Sequence, residues 1–228
     1  MTPTAIISYD DTPSDHDALM LARVLRDAGA ELILAYVRHT TEDERERERL
    51  EEDEAEALLE RGARTLGDLD VERRVVLSAS TADGLSWLAE REEAQIIVFG
   101  SDYRTAAGHV SPQKSAQALL DGGPAALAIA PANYRSDRAR TFGRLGLLAS
   151  PGDDAALETA RDLAETLGAR VTSDEPHVDL LVIGSRPEAP AGRVLISASA
   201  QHEIDNATSP VLVVPRSVPV RFPLVITS

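Results

Sequence analysis

Two stretches of the chain carry the residues best suited to chemistry. A short apolar run, Thr4 to Tyr9, ends in Asp10-Asp11-Thr12-Pro13-Ser14, a turn cluster that leaves two carboxylates where a strand stops. Carboxylates placed there can meet a ribose hydroxyl or Mg²⁺. Equally, Asp11 or Ser14 can cap the helix that follows. The second stretch runs from Gly100-Ser101 through Arg104 and Gly108 to Ser111, Gln113, Lys114 and Ser115. Glycine lets backbone N–H groups approach an anion, the next helix turns its positive end toward it, and Arg104 and Lys114 add charge. The competing reading is a surface loop with a helix cap at Ser111-Pro112. The pattern returns, more weakly, as Gly184, Ser185, Arg186, Gly192 and Ser197, a second candidate anion site.

Other chemistries find no support. The 228 residues contain no cysteine, so disulfides and thiolate sites are excluded. His16, His39, His109, His177 and His202 lack the spacing of a metal site, and no Ser-His-Asp set stands out. A net charge of −15 opposes binding to nucleic acid or to anionic membranes, because phosphate contacts need clustered Lys and Arg. Much of the acid lies in Thr41 to Glu60, read as a solvated helix face that offers a docking role only to a basic partner. No apolar run reaches the roughly 18 residues of a membrane span. The N-terminus enters a strand with no basic region before it, which argues against a signal peptide and for a cytoplasmic protein.

The positioning elements follow from periodicity. In the first half, strands are expected at 4–10, 31–37, 71–77, 96–99 and 125–130. Helices are expected after Ser14, over 42–64, from Thr81 as cap to Glu92, and over 113–121, with Trp87 in the core. Strands that alternate with helices imply a parallel sheet covered on both faces. The second half has strands at 145–149, 169–172, 178–183 and 211–214, with helices at 155–167 and 197–206. It lacks counterparts of the acidic helix, the third strand and the third helix. Residues 222–227 read as a tail strand.

The halves repeat one another. Ala18-Leu19, Ala22-Arg23 and Leu25 match Ala156-Leu157, Ala160-Arg161 and Leu163. Gly100-Ser101, Gly108, Val110 and Ser115-Ala116 match Gly184-Ser185, Gly192, Val194 and Ser199-Ala200 at identical spacing. Duplication accounts for this far better than chance. The expected units are 1–133 and 141–216, followed by a tail at 217–228.

The Asp10, Ala18-Leu19 opening, the strand ending in Gly100-Ser101 and the last strand ending in Pro131 resemble the universal stress protein family, in a tandem form with a shortened second unit. The resemblance implies two Rossmann-like units of the adenine nucleotide alpha hydrolase-like class. It also implies a parallel strand order of 3-2-1-4-5 and pseudo-twofold pairing through the last strands. It further implies a nucleotide site formed by Asp10, Asp11, Val37, Gly100, Ser101, Arg104, Gly108, Gln113, Lys114 and Ser115, which would take ATP with Mg²⁺. The family loop reads Gly-x-x-Gly, nine residues, then Gly-Ser or Gly-Thr. Here those positions hold Gly100, Tyr103, Gln113 and Lys114, and in the second unit Gly184, Pro187, Ser197 and Ala198. Tyr103 adds bulk, and Pro187 removes a donor. The implied function is a non-enzymatic stress-response module with a weakened or altered adenine-nucleotide site. The alternatives are an ATP-binding protein with slow hydrolysis and a sensor of another small anion. The chain would be a monomer with an internal pseudo-dimer, or a homodimer.

Overall fold

The computed structural model describes residues 2–39, 48–136, 142–173, 175 and 177–223, with the backbone alone for 48–52. The expected helix residues 42–47, the linker residues 137–140 and most of the expected tail strand, 224–227, lie outside the described residues.

Among the described residues, nine strands and six α-helices follow one another as β1 (Thr4–Ser8), α1 (Pro13–Asp27), β2 (Glu31–His39), α2 (Glu48–Leu66), β3 (Glu72–Ser78), α3 (Thr81–Arg91), β4 (Ile96–Gly100), α4 (Lys114–Leu120), β5 (Ala126–Ala130), β6 (Arg144–Leu148), α5 (Ala155–Leu167), β7 (Arg170–Thr172), β8 (Leu180–Gly184), α6 (Ala198–Asn206) and β9 (Val211–Val214). The strands form one sheet in the order β3-β2-β1-β4-β5-β9-β8-β6-β7. Neighbours run parallel except β5 and β9, which are antiparallel. The first half shows the expected 3-2-1-4-5 order. The second repeats it with no counterpart of the third strand among the described residues.

The seam between the halves lies on a pseudo-twofold axis. Ala128 pairs with Leu212 there, flanked by Leu127 with Val213 and Ile129 with Val211. Gln117 donates to Gln201, its own counterpart 84 residues along the chain, at 3.4 Å. Two bonds cross reciprocally: Val110 N–H reaches Ala207 O at 3.0 Å, and Val194 N–H reaches Gly123 O at 2.9 Å. Each half therefore satisfies backbone groups of the other.

Packing explains the strand composition. β4, β5 and β9 are buried along their whole length, as a sheet covered on both faces requires. One core layer joins Leu19, Leu25, Leu59 and Leu66 to Leu163, Leu180 and Leu212. The opposite layer joins Ile6, Leu85, Phe99 and Leu119 to Ile183, Ile204 and Val213. Both layers run through the seam. Each such side chain contributes about 1.5–3 kcal/mol on burial.

Helix ends correct several expectations. The cap of α1 is Thr12, neither Asp11 nor Ser14: its hydroxyl accepts from Asp15 N–H, and Asp15 returns a bond to the Thr12 backbone. This is a capping box with Pro13 in the first turn. The cap of α3 is Ser80 instead of Thr81. At α4 the cap position falls to Gln113, which makes no side-chain bond, so Ser111-Pro112 does not cap it. Trp87 is half-exposed and not core, because the buried stripe of α3 runs through Leu85, Leu88 and Ala89. Its ring instead carries Arg91 at 5.1 Å. Phe222 and Pro223 are irregular, not strand.

Candidate functional site

The candidate site lies at the carboxyl ends of β1, β2 and β4, where strand order reverses and α/β sheets hold their ligands. Ser8 pairs with Ala35, and Ile7 with Val98, so the turn after β1 sits beside Val37 and Gly100. Asp10, Val37 and Gly100 are thereby brought to one edge.

The two carboxylates of the turn have different surroundings. Asp11 adopts the left-handed region (φ 57°). Its Oδ1 accepts from the Tyr9 hydroxyl at 2.7 Å and faces His16 Nε2 at 3.3 Å, and its Oδ2 accepts from Arg61 Nε at 2.8 Å. The Tyr9 and His16 rings stack at 6.3 Å. The Arg61 bond, then the Tyr9 bond, hold the Asp11 carboxyl below the usual range, while burial and then Asp11 push the Tyr9 phenol up. Asp10 keeps an exposed carboxylate and gives its backbone N–H to Asp15 Oδ2 at 2.9 Å. Loss of hydration raises the Asp10 carboxyl, with His39 opposing. Burial likewise raises Asp15, against the bonds from Thr12 and Asp10.

Val37 is buried in the core under α3. Gly100 is required by close packing: a Cβ there would meet the Ser14 carbonyl oxygen at 1.9 Å. Ser101 is 1% exposed. Its hydroxyl donates to Ala130 O at 2.7 Å and accepts from Ser111 N–H at 3.2 Å. It staples the loop to the end of β5.

The loop spends many of its backbone donors on protein acceptors. Asp102 N–H goes to Ser111 O, Thr105 to Asp102 O, Gly108 to Ala132 O, His109 to Ala106 O, and Val110 across the seam to Ala207 O. Arg104 N–H goes to Asp102 Oδ1 at 2.9 Å. Gly108 occupies φ 81°, a turn conformation that favours glycine. Lys114, at the first position of α4, and Arg104 expose their cationic side chains at this edge, as Tyr103 and His109 expose their rings, with Gln113 and Ser115 half-buried beside Lys114. Arg104 lies over the Tyr103 ring at 5.0 Å. With Asp102, Thr105, His109, Ser111 and Asp205 it borders an open pocket of about 380 Å³ between the loop and α6.

The second loop is built the same way. Ser185 hydroxyl donates to Val214 O at 2.7 Å and accepts from Leu195 N–H at 3.3 Å. Arg186 N–H bonds Leu195 O, and Gly192 N–H bonds Arg216 O. Gly184 lies 3.0 Å, as a virtual Cβ, from the Ser150 nitrogen. Ser197 caps α6 by accepting from Ala200 N–H at 3.1 Å. The Arg186 side chain is exposed. Asp153, in the turn after β6, accepts from Ser217 N–H at 3.0 Å.

Sequence reasoning did not find Tyr9, His16 or Arg61, nor Asp17. Asp17 is 2% exposed and accepts from Asn133 N–H, Arg135 N–H and the Arg135 guanidinium at 2.8–2.9 Å. The spacing Thr12-x-x-Asp15 carried a readable capping signal. Arg61 carried none. No group of three or more His, Asp or Glu that could hold a metal occurs among the described residues, and no helix among them is long and apolar enough to cross a membrane.

Searches with protein-family profiles and against curated protein sequences find no match. Solved structures do match. A universal stress protein from Archaeoglobus fulgidus DSM 4304 superposes with a TM-score of 0.68 at 13% identity, covering 93% of this chain and 98% of that one. A protein of unknown function from Pseudomonas aeruginosa PAO1 gives 0.62 at 15%, covering 95% and 93%. The protein has the fold of the first of these over nearly its whole length.

Proposed function

We propose that this protein is a tandem universal stress protein-like module, non-enzymatic and cytoplasmic, whose first unit (1–133) carries an altered adenine-nucleotide site and whose second unit (141–216) serves as its built-in partner. The fold supports the general reading, and one observation carries the specific one. The loop that would cradle phosphates directs the backbone N–H groups of Asp102, Arg104, Thr105, Gly108, His109, Val110 and Ser111 to protein acceptors. Anion binding at this edge therefore relies chiefly on the Lys114 and Arg104 side chains, beside the first turn of α4, which has no side-chain cap, with Asp10 toward ribose or Mg²⁺. Gln113 and Ser115 stand beside Lys114, and Val37 and Asp11 shape the wall.

Thermal unfolding with and without millimolar ATP·Mg²⁺ tests this reading. A tight site, saturated at about 100 times its dissociation constant, would add about 2.7 kcal/mol. The altered site predicts a smaller shift that Lys114→Ala abolishes. A full shift that survives Lys114→Ala would replace the proposal with ordinary ATP binding, and slow hydrolysis would then be assayed. A second reading rests on the Arg104 pocket. There a small anion other than a nucleotide would stabilise the protein in an Arg104-dependent, Lys114-independent manner.

A further inference from the structure

The sheet ends in one long edge that is guarded over only part of its length. β3 and β7 are the outer strands. β7 is 3 residues long, and short edge strands resist pairing. β3 has 7 residues. The Ala35 carbonyl accepts from Tyr9 N–H on the β1 side, so the alternate residues Leu34, Tyr36 and Arg38 turn their backbone groups to β3. They bond the residues that flank their register partners, Arg74 and Val76 among them. The backbone N–H and C=O of Arg73, Val75 and Leu77 therefore point away from the sheet. Arg74 covers the first of these, donating from its guanidinium to Arg73 O at 3.1 Å. The outward groups of Val75 and Leu77 find no acceptor or donor among the described residues.

This open half is also apolar. Leu77 is 57% exposed and Trp87 51%. Leu77 lies on the α2 face of the sheet, as Val75 does by alternation. Trp87 flanks the edge on the other face. It follows Gly84 by three residues on α3, a spacing that keeps both on one side of the helix, and a Cβ on Gly84 would meet Ser78, the last residue of β3, at 3.0 Å. Leu69, in the turn before β3, is exposed too. Most of the exposed large hydrophobic side chains among the described residues thus gather at this edge, the mark of an interaction surface.

We propose that β3 pairs with β3 of a second copy of this chain, antiparallel, about a two-fold axis at Val75. Self-complementarity selects this occupant over a foreign strand. With the axis there, Val75 meets Val75 and Arg73 meets Leu77, so every outward residue faces an outward residue and each pair exchanges both backbone bonds. No like charges face one another, because Arg74 meets Val76 and Glu72 meets Ser78. The aliphatic stem of Arg73 covers Leu77. Arg74 yields Arg73 O to the incoming strand and stays held by Glu72 and Glu92. An axis at Arg73 would set arginine against arginine and leave Leu77 in water. The seam between β5 and β9 is already an antiparallel joint of two sheet edges, and a two-fold contact closes on itself. The pairing does not depend on the nucleotide reading.

The chain has no cysteine, so Val75→Cys reports on the axis alone. Facing Cα atoms at about 5.5 Å lie within the range that a disulfide bridges. Sedimentation of the full chain should show a concentration-dependent monomer–dimer equilibrium, measured at raised salt to screen the repulsion between two chains of net charge −15. Under mild oxidation Val75→Cys should form a disulfide dimer faster than Leu69→Cys, whose position is exposed but remote from the axis. Leu77→Lys sets a cation against Arg73 of the second copy and should raise the dissociation constant at least about tenfold. Circular dichroism verifies that the variants are folded. A wild type that stays monomeric to its solubility limit would overturn the proposal and leave the edge to a foreign extended segment. A dimer indifferent to Leu77→Lys, or Leu69→Cys crosslinking as fast as Val75→Cys, would overturn it as well.

Discussion

Asp11 answers to three side-chain donors, and this gives the protein a pH signature. Its folded pKa lies below the unfolded value. The stability it contributes is therefore present above the ordinary carboxylate range and disappears as pH falls through the folded value. Asp11→Asn should lower the Tm at pH 7, and the two Tm values should converge only in acid, below the ordinary carboxylate range. Arg61 is half-exposed, so the difference at pH 7 should not exceed about 1 kcal/mol. A difference that persists unchanged into acid would mean that the contact acts through shape and not charge. Asp10 and Asp15 have the opposite sign: their raised values favour the folded state as pH falls, and they are left intact in both proteins. At this scale the sequence was only partly legible. Asp10 and Asp11 stood out because they follow an apolar run. The principal cation of Asp11, Arg61, lies 50 residues away on α2, and no local spacing announces such a partner.

At the scale of elements, the two Gly-Ser loops resemble each other in bonding more than in sequence. Ser101 and Ser185 each donate to the end of the last strand of their unit and accept from the returning loop. Ser101→Ala and Ser185→Ala should each cost about 1–3 kcal/mol, because both leave a buried carbonyl and an N–H without their partner. Urea denaturation measures both. A loss in one variant only would show that the two loops are not energetically equivalent. The strands and most helices could be read from apolar periodicity, and among the described residues the second half shows no counterpart of the third strand or third helix. Caps were harder, since Thr12 and Ser80 each had polar neighbours of similar propensity. Trp87 was misplaced because hydrophobicity alone does not give helical phase: it precedes Leu88 by one residue and so turns away from the face that Leu85 and Leu88 share.

At the scale of the molecule, both core layers cross the seam between β5 and β9. The protein should therefore unfold in one cooperative transition, with equal calorimetric and van't Hoff enthalpies. Leu212 is fully buried opposite Ala128. Leu212→Ala should cost about 2–5 kcal/mol and lower that single transition without dividing it. Two separated transitions in the wild-type protein would show that the halves fold independently. Matched spacing between the two halves was visible in the sequence. The axis itself was not, because only the fold reveals that Gln117 meets Gln201.

The reciprocal bonds of Val110 and Val194 make each half the completing surface of the other, and one covalent chain carries both. The joining segment holds the two halves at an effective concentration on the order of millimolar. Closure of the seam is thus first order in protein. Dilution that would dissociate a pair of separately made halves leaves this pair together, at the scarcest copy number as at the highest.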